Sequence, residues 1–218
     1  MKRYLRPAYI MIFVLLVGAA IHLRALVFLT DNLSSTSSGS DTVSGSTLLG
    51  ADFTTDADNY LLESATLLVQ QDTSGVASLY VYSDNSGIPG SLLGTFASPA
   101  SYTSSLSSTV FTASGLPLSA DTTYWLVLSG TTGSFDWSWT TDNSASSAGF
   151  TGDTASYDGS YWYGTSGVYP YQLSVTADPV SATPEPSMFF LLLAASVAIG
   201  VMSTRKRLAK PRFQGENR

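Results

Sequence analysis

The chain has 218 residues and a formal net charge of −6, but its ten Lys and Arg residues all lie near the two ends. Between residues 25 and 204 there is no cation, whereas Glu185 and fourteen other acidic residues lie there. Such a segment cannot neutralise phosphates, which excludes nucleic-acid binding. The chain has no Cys, and its single His22 lies near the N-terminus. Disulfides are therefore excluded, and so is imidazole or thiolate chemistry in the middle segment.

The N-terminus has the proportions of a secretory signal peptide. Residues 1–6 contain Lys2, Arg3 and Arg6, and the twelve residues Tyr9 to Ala20 are apolar. A basic start and a short apolar stretch are typical of a cleaved signal, and the stretch is short for a spanning helix. We therefore predict a signal peptide over residues 1–25, with an uncleaved N-terminal anchor as the alternative.

The middle of the chain predicts an all-β domain. Residues 34–46 are rich in Ser, Thr and Gly, which favours a flexible linker or a long loop. Beyond them, apolar and polar residues alternate with a period of two, which is typical of β-strands. The candidate strands are Leu26 to Thr30, Tyr60 to Gln70, Ala77 to Ser83, Ser91 to Ala97, Thr109 to Ala113, Thr123 to Ser129, Phe135 to Trp139 and Tyr169 to Val175.

Turn-forming clusters separate these strands, at Asp84 to Gly87, at Pro89 and Gly90, and at Asp158 and Gly159. Eight or more short strands with such turns indicate one β-sandwich of jelly-roll type over residues 26–180. The expected fold is thus a single sandwich domain, flanked by the signal peptide and by a C-terminal transmembrane helix.

Two stretches of this domain resemble the choice-of-anchor R domain. They are YSDNSGIPGSLL, from Tyr82 to Leu93, and LSADTTYWLVL, from Leu118 to Leu128. Such domains occur on bacterial surface proteins with various C-terminal anchors. The resemblance implies a surface location, and it supplies no catalytic residues and no established activity.

Few catalytic arrangements are open to a domain without His, Cys, Lys or Arg. A Ser nucleophile would have no His or Lys to activate it. A pair of carboxylates, as in glycoside hydrolases, is the remaining apparatus. Many acidic residues make some close pair almost inevitable, so their number alone is no argument for an enzyme. We expect a protein that is not an enzyme, with a glycoside hydrolase as a further alternative.

The aromatic residues of the domain offer carbohydrate binding as an alternative function. Sugar rings pack their C–H faces on aromatic rings, and carboxylates accept hydrogen bonds from sugar hydroxyls. The candidates for glycan binding are Trp139, Trp162, Tyr161 and Tyr163. The competing interpretation is that large aromatic residues in strands are packing residues, which we expect for Trp125 and Trp137.

Loops with several acidic residues raise the question of calcium, which binds carboxylate and carbonyl oxygens. Asp84, Asp153 and Asp158 are the candidate ligands, and none has the spacing of an EF-hand. A solvated turn is the competing interpretation at each position. We therefore expect no cofactor, with a structural calcium ion at one of these loops as the alternative.

The C-terminus combines an extended segment, an apolar segment and a basic cluster. Pro184, Glu185, Pro186 and Ser187 are followed by seventeen largely apolar residues, 188–204, and then by three cations, Arg205, Lys206 and Arg207. Seventeen residues give about 25 Å of helix, close to the ~30 Å hydrocarbon thickness of a bilayer. The cations should stay in the cytoplasm, which leaves the β-domain outside and residues 211–218 as a cytoplasmic tail.

This arrangement resembles the PEP-CTERM sorting signal, which we assign to residues 181–210. The resemblance implies that Pro184 to Ser187 form the motif recognised by an exosortase of a Gram-negative bacterium, often alongside exopolysaccharide production. One departure is the tail, because eleven residues follow Arg207 whereas such signals usually end soon after the basic cluster. The alternative interpretation is a plain single-pass anchor with a proline-containing stalk.

Together, these features predict an exported, surface-sorted protein of the exopolysaccharide or biofilm matrix. Its expected partners are the export machinery, an exosortase, the membrane before processing, and an exopolysaccharide. Its expected location is the inner membrane during export, and then the cell surface or the exterior. The alternative function is that of a carbohydrate-binding module that attaches cells to polysaccharide.

Overall fold

The structure is a computed structural model that describes residues 26–142, 152–165 and 169–180. The predicted signal peptide, the sorting motif Pro184 to Ser187 and the basic cluster Arg205 to Arg207 lie outside the described residues. Within those described, no helix has the length and hydrophobicity needed to cross a membrane.

The described part of the chain is all-β, as the sequence predicts. Its ten strands are β1 (Val27–Asp31), β2 (Gly39–Ser44), β3 (Leu48–Thr54), β4 (Tyr60–Asp84), β5 (Pro89–Thr95), β6 (Ser107–Leu118), β7 (Thr123–Trp139), β8 (Thr154–Tyr157), β9 (Trp162–Thr165) and β10 (Leu173–Pro179). All strand pairs are antiparallel, in the order β1-β10-β4-β7-β3-β8-β9. Strand β2 pairs with β7, while β5 and β6 pair with β4.

The two longest strands, β4 and β7, pair with each other and with most of the other strands. The first half of β4 pairs with β6 and β10, and its second half pairs with β5 and with the first half of β7. Leu62 and Leu67 from the first half and Leu79 and Val81 from the second half all belong to one buried cluster. The sheet therefore folds over a shared core, which is consistent with a β-sandwich.

The bend in the β4–β7 ribbon requires glycine. The pairing register between these strands shifts between Gln71 and Ala77. A Cβ on Gly75 would lie 1.9 Å from the Thr132 carbonyl oxygen, and a Cβ on Gly133 would lie 2.6 Å from the Ser74 carbonyl oxygen. Gly133 also has a φ of +72°, which side chains disfavour. Close backbone approach at the bend thus excludes any larger residue.

The core contains large aromatic and aliphatic side chains from most strands. Trp125 and Trp137 are both fully buried, which confirms the prediction that they are packing residues. Trp137 belongs to the main cluster, whereas Trp125 forms a second cluster with Val127 and Ala155. Strand β7 buries residues on both faces, because each face packs against one of these clusters.

The Ser/Thr/Gly-rich stretch at 34–46 is not a linker over its whole length, and that expectation is wrong for residues 39–44. They form β2, whose partner is the second half of β7. Only the side chain of Val43 in β2 is buried, so the strand has almost no apolar alternation that a sequence pattern could show. Strands β3, β8 and β9 are likewise absent from the predicted set, since β3 is buried on both faces and β8 and β9 have four residues each.

Candidate functional site

One face of the sheet packs against the main buried cluster, and we call it the inner face. Its side chains change from apolar to polar between β3 and the neighbouring strands β8 and β9. Leu49 of β3 lies opposite Ser156 of β8, which in turn lies opposite Tyr163 of β9. In the next row, Ala51 lies opposite Thr154 and then Thr165. Residues in register share a face. The face that is apolar at β3 therefore becomes a surface of hydroxyl and tyrosine side chains at β8 and β9.

A cleft of about 490 Å³ lies over this polar part of the inner face. It is also lined by Asp41 of β2 and by two tyrosines that precede β10, Tyr169 and Tyr171. The residues that line it are Asp41, Thr42, Thr47, Leu49, Thr154, Ala155, Ser156, Tyr163, Thr165, Tyr169 and Tyr171. The cleft is thus rich in hydroxyl groups and tyrosine rings, and Asp41 supplies the only carboxylate among these lining residues.

Tyr171 fixes the position of the Asp41 carboxylate. Its hydroxyl donates a 2.7 Å hydrogen bond to Asp41 Oδ2, and its ring stacks on the buried Trp137 with centroids 4.6 Å apart. Asn32 Nδ2 donates to the Tyr171 backbone carbonyl at 3.1 Å. Burial, and then the nearby carboxylate, raise the pKa of Tyr171 far above its usual value. The phenol therefore stays protonated and keeps donating to Asp41.

Two of the four predicted glycan-binding residues belong to the region of this cleft. Tyr163 lines it and is 55% exposed. Trp139 is half-buried and contacts the ring of Tyr169, with centroids 4.9 Å apart. A Cβ on Gly39 would lie 2.3 Å from the Trp139 ring, so glycine at that position makes room for the indole. The Trp139 ring therefore packs against the Tyr169 ring.

The other two predicted residues lie elsewhere. Trp162 is on the opposite face of β9 from Tyr163, and its ring contacts Tyr157 at a centroid distance of 5.2 Å. It packs against the second buried cluster. Tyr161, which precedes β9, is 70% exposed and does not line the cleft. The four residues thus do not form a single site.

Asp158 organises the turn between β8 and β9. Its Oδ1 accepts hydrogen bonds from the backbone N–H groups of Ser160 and Tyr161, at 2.8 and 3.0 Å. These bonds lower the pKa of the Asp158 carboxyl. Its Oδ2 accepts a 3.1 Å hydrogen bond from the Tyr163 hydroxyl, which raises the pKa of Tyr163. This carboxylate therefore holds the Tyr163 side chain beside the cleft.

The other two calcium candidates also have protein partners. Asp84 Oδ1 accepts hydrogen bonds from Trp125 Nε1 at 2.8 Å and from the Gly87 backbone N–H at 3.0 Å. The Asp153 backbone N–H donates to Asp52 Oδ1 at 2.9 Å. In the ranges that the structure describes, no three Asp, Glu, His or Cys side chains converge as metal ligands would.

A second, smaller cleft of about 250 Å³ lies between β4, β5 and β6. It is lined mainly by apolar side chains and backbone, including Leu62, Val81, Phe96 and Leu116. Thr95 and Ser114 contribute polar side chains, and none of the lining residues that the structure describes is ionisable. These residues therefore offer neither an acid nor a base.

Of the residues that line the larger cleft, only Tyr163 was predicted from the sequence as functional; Asp41, Tyr169 and Tyr171 are among those that were not. The sequence predicts a strand over Tyr169 to Val175, but β10 begins only at Leu173, so both tyrosines lie in the segment before it. Asp41 lies in the stretch expected to be a linker, and only its pairing with Trp137 places it on the inner face.

Comparison with known proteins adds no assignment. No protein-family model matches the chain, and no curated protein is similar enough in sequence to count as a match.

Proposed function

We propose that the chain is an exported bacterial surface protein that is sorted through its C-terminal segment and acts in an exopolysaccharide matrix without catalysing a reaction. The order of features supports this. A signal-like N-terminus, a cation-free domain, the Pro184 to Ser187 motif, an apolar segment and a basic cluster follow one another. Both ends imply the same topology, with the domain outside the inner membrane.

The domain suits that location. We infer that its folded-over sheet is a jelly-roll-like sandwich of the choice-of-anchor R kind, flanked by a signal peptide and a transmembrane helix. Its packing rests on a large apolar core and on antiparallel pairing, so it needs no disulfide to be stable outside the cell. An acidic, cation-free surface also resists adsorption to anionic membranes.

The sorting step is tested by changing the motif in native cells. Replacing Pro184 and Pro186 by Ala should leave full-length protein in the inner-membrane fraction, because the segment loses its extended conformation and the recognised residues. Pro211→Ala, beyond the basic cluster, is the matched control and should be processed as the native chain is. Retention of both the native chain and the motif variant at full length would favour a plain anchor, and equal release of both would show that the motif is not needed; either result overturns the sorting proposal.

Carbohydrate binding is the second candidate, and the larger cleft favours it. Tyr163 and Tyr169 present exposed aromatic surface beside the hydroxyl groups of β8 and β9. The third candidate, glycoside hydrolysis, needs two carboxyl groups about 5 to 9.5 Å apart across a cleft. Asp41 is the single carboxylate among the described residues that line this cleft, which supports binding over catalysis.

A further inference from the structure

We propose that the cleft between β2, β8, β9 and the segment 169–171 binds a polysaccharide that has no acidic groups. This inference rests on the second candidate above, carbohydrate binding, and it names both the site and the chemical class of its ligand.

The inner face carries polar side chains where it borders the cleft. At β3 the inner face is buried and apolar, with Leu49 and Ala51 each 3% exposed. In the same two rows, β8 and β9 carry hydroxyl groups and a phenol instead, and Thr154 and Thr165 share a 2.7 Å hydrogen bond. Polar residues in these rows keep this end of the sheet open to solvent. They also leave oxygen atoms available to a polar ligand.

Two tyrosine rings in the lining of the cleft are exposed. Tyr163 is 55% exposed and Tyr169 is 52% exposed, although both are large rings that other parts of this domain bury. Both are held in place, Tyr163 through its hydrogen bond to Asp158 and Tyr169 through its contact with Trp139. Two positioned rings at one cleft can receive the C–H faces of sugar units at little cost in side-chain entropy.

The Asp41 carboxylate is a hydrogen-bond acceptor that is held in one position. Tyr171 donates to Asp41 Oδ2, so the Asp41 side chain is held at the wall while the residue itself stays solvent-exposed. A fixed, exposed carboxylate is a strong acceptor for sugar hydroxyl groups. The cleft volume of about 490 Å³ is in the range of small-molecule sites, about 300 to 1,000 Å³.

The negative charge of the domain disfavours polysaccharides that carry acidic groups. Residues 26–180 contain fourteen carboxylates and no Lys, Arg or His. No residue of this span could pair with a uronate, sulfate or phosphate group on a sugar, and Asp41 would repel it inside the cleft. Neutral sugars meet no such penalty, and a free amino group on a sugar would be attracted by Asp41. The ligand is therefore a non-acidic glycan.

The test is titration calorimetry on the full chain in detergent micelles with three probes: neutral glucan oligomers, deacetylated glucosamine oligomers and uronate oligomers of equal length. We expect heat of binding with one or both of the first two and at least about tenfold weaker binding of the uronate. Equal binding of the uronate oligomers, or no binding of any probe, would overturn the inference.

Variants locate the site. Tyr163→Ala and Tyr169→Ala should each weaken binding about tenfold or more, since each removes an aromatic platform. Tyr161→Ala is the matched control, because Tyr161 is an even more exposed tyrosine two residues away and outside the cleft. An equal loss in the control would mean that the glycan binds elsewhere.

A conservative substitution covers the case in which an alanine variant fails to fold. Asp41→Asn keeps the side-chain shape and an acceptor for Tyr171, so it should fold as the native chain does. It should reduce the discrimination against uronate oligomers, because the repelling charge is gone. Unchanged discrimination in Asp41→Asn would contradict the assignment of Asp41.

The two proposals fail separately. A chain that is exported and processed but binds no probe would refute this inference and leave the sorting proposal intact. A chain that binds neutral glycans but remains unprocessed in the cytoplasm would do the reverse.

Discussion

Tyr171 and Asp41 lie 130 positions apart in the sequence, yet the tyrosine hydroxyl donates a 2.7 Å hydrogen bond to the Asp41 carboxylate. The contact joins the segment before β10 to β2, and the stacking of Tyr171 on Trp137 ties both to the core. One side chain therefore connects the buried part of the domain to the wall of the candidate binding cleft.

Removing that hydroxyl tests the connection. Tyr171→Phe should lower the free energy of unfolding by about 1 kcal/mol, because a partly buried hydrogen bond is lost while the ring stack remains. Urea unfolding followed by tryptophan fluorescence measures it, since all four Trp residues lie in this domain. Tyr163→Phe removes an exposed bond to Asp158 and is the control, with a smaller expected effect. An equal loss in both variants would contradict the role given to Tyr171.

The glycine at the bend of the β4–β7 ribbon offers a matched comparison. Gly133 and Gly115 both have a φ of +72°, but a Cβ on Gly133 would meet backbone atoms at 2.6 Å, whereas one on Gly115 would meet nothing within 4 Å. Gly115→Ala should cost about 1 kcal/mol of unfolding free energy from backbone strain alone. Gly133→Ala should cost at least about 2 kcal/mol more, since the two strands must move apart. Similar losses in thermal unfolding would refute the close approach at the bend.

Asp84 is expected to stabilise the fold through the hydrogen bond that it accepts from Trp125. Its carboxylate accepts the hydrogen bond of an indole that is fully buried. Asp84→Ala should therefore lower the free energy of unfolding by about 2 to 3 kcal/mol, because the indole N–H loses its partner. Asp58→Ala, at an exposed carboxylate in a turn, should change it by less than about 0.5 kcal/mol. Chemical denaturation of both variants gives the comparison, and a silent Asp84→Ala would contradict the prediction.

Alkaline pH should destabilise the domain in part through Tyr60. Burial, and then the 2.8 Å hydrogen bond to Asp56, raise the pKa of Tyr60 from 10.0 to about 12. The unfolded chain therefore loses this proton first. The stabilisation that Tyr60 contributes is complete below about pH 10 and is lost as the pH rises toward 12.

The loss assigned to Tyr60 is about 1 kcal/mol, because the hydroxyl and its bond to Asp56 are only partly buried and solvent screens the interaction. Unfolding free energies at about pH 8 and about pH 11.5 should differ less in Tyr60→Phe than in the native chain. The variant loses one hydrogen bond at both pH values, so the difference between them isolates the titration. The same pH-dependent loss in both proteins would show that Tyr60 does not titrate as described.

The fold could be predicted from the sequence where strands have one buried face. In β4, the alternation of Leu79 and Val81 with Tyr80 and Tyr82 gives the correct inner face. The sequence divides β4 into two strands, because the polar bend near Gly75 interrupts the pattern. Only the backbone contacts with β7 show that the strand continues through it. Strand β2 has no pattern of its own, since its pairing is determined by β7.

The candidate site was predictable only in part. The aromatic run near the C-terminal end of the domain includes Tyr163, which β9 places in the lining of the cleft. The same run does not show which residue packs against a buried cluster; Trp162, on the opposite face of β9 from Tyr163, is the one that does so. Asp41 depends on tertiary contacts with residues about 100 positions away, which neither composition nor spacing encodes.

The central claim is that the chain is exported and sorted through its C-terminal segment. Mass spectrometry of the intact protein, isolated from the surface and membrane fractions of native cells, tests it most directly. The account predicts a mature form that lacks the N-terminal signal and that ends near the motif Pro184 to Ser187, without the apolar segment and the basic cluster. Recovery of the whole chain with both ends intact, in the cytoplasmic fraction, would contradict it.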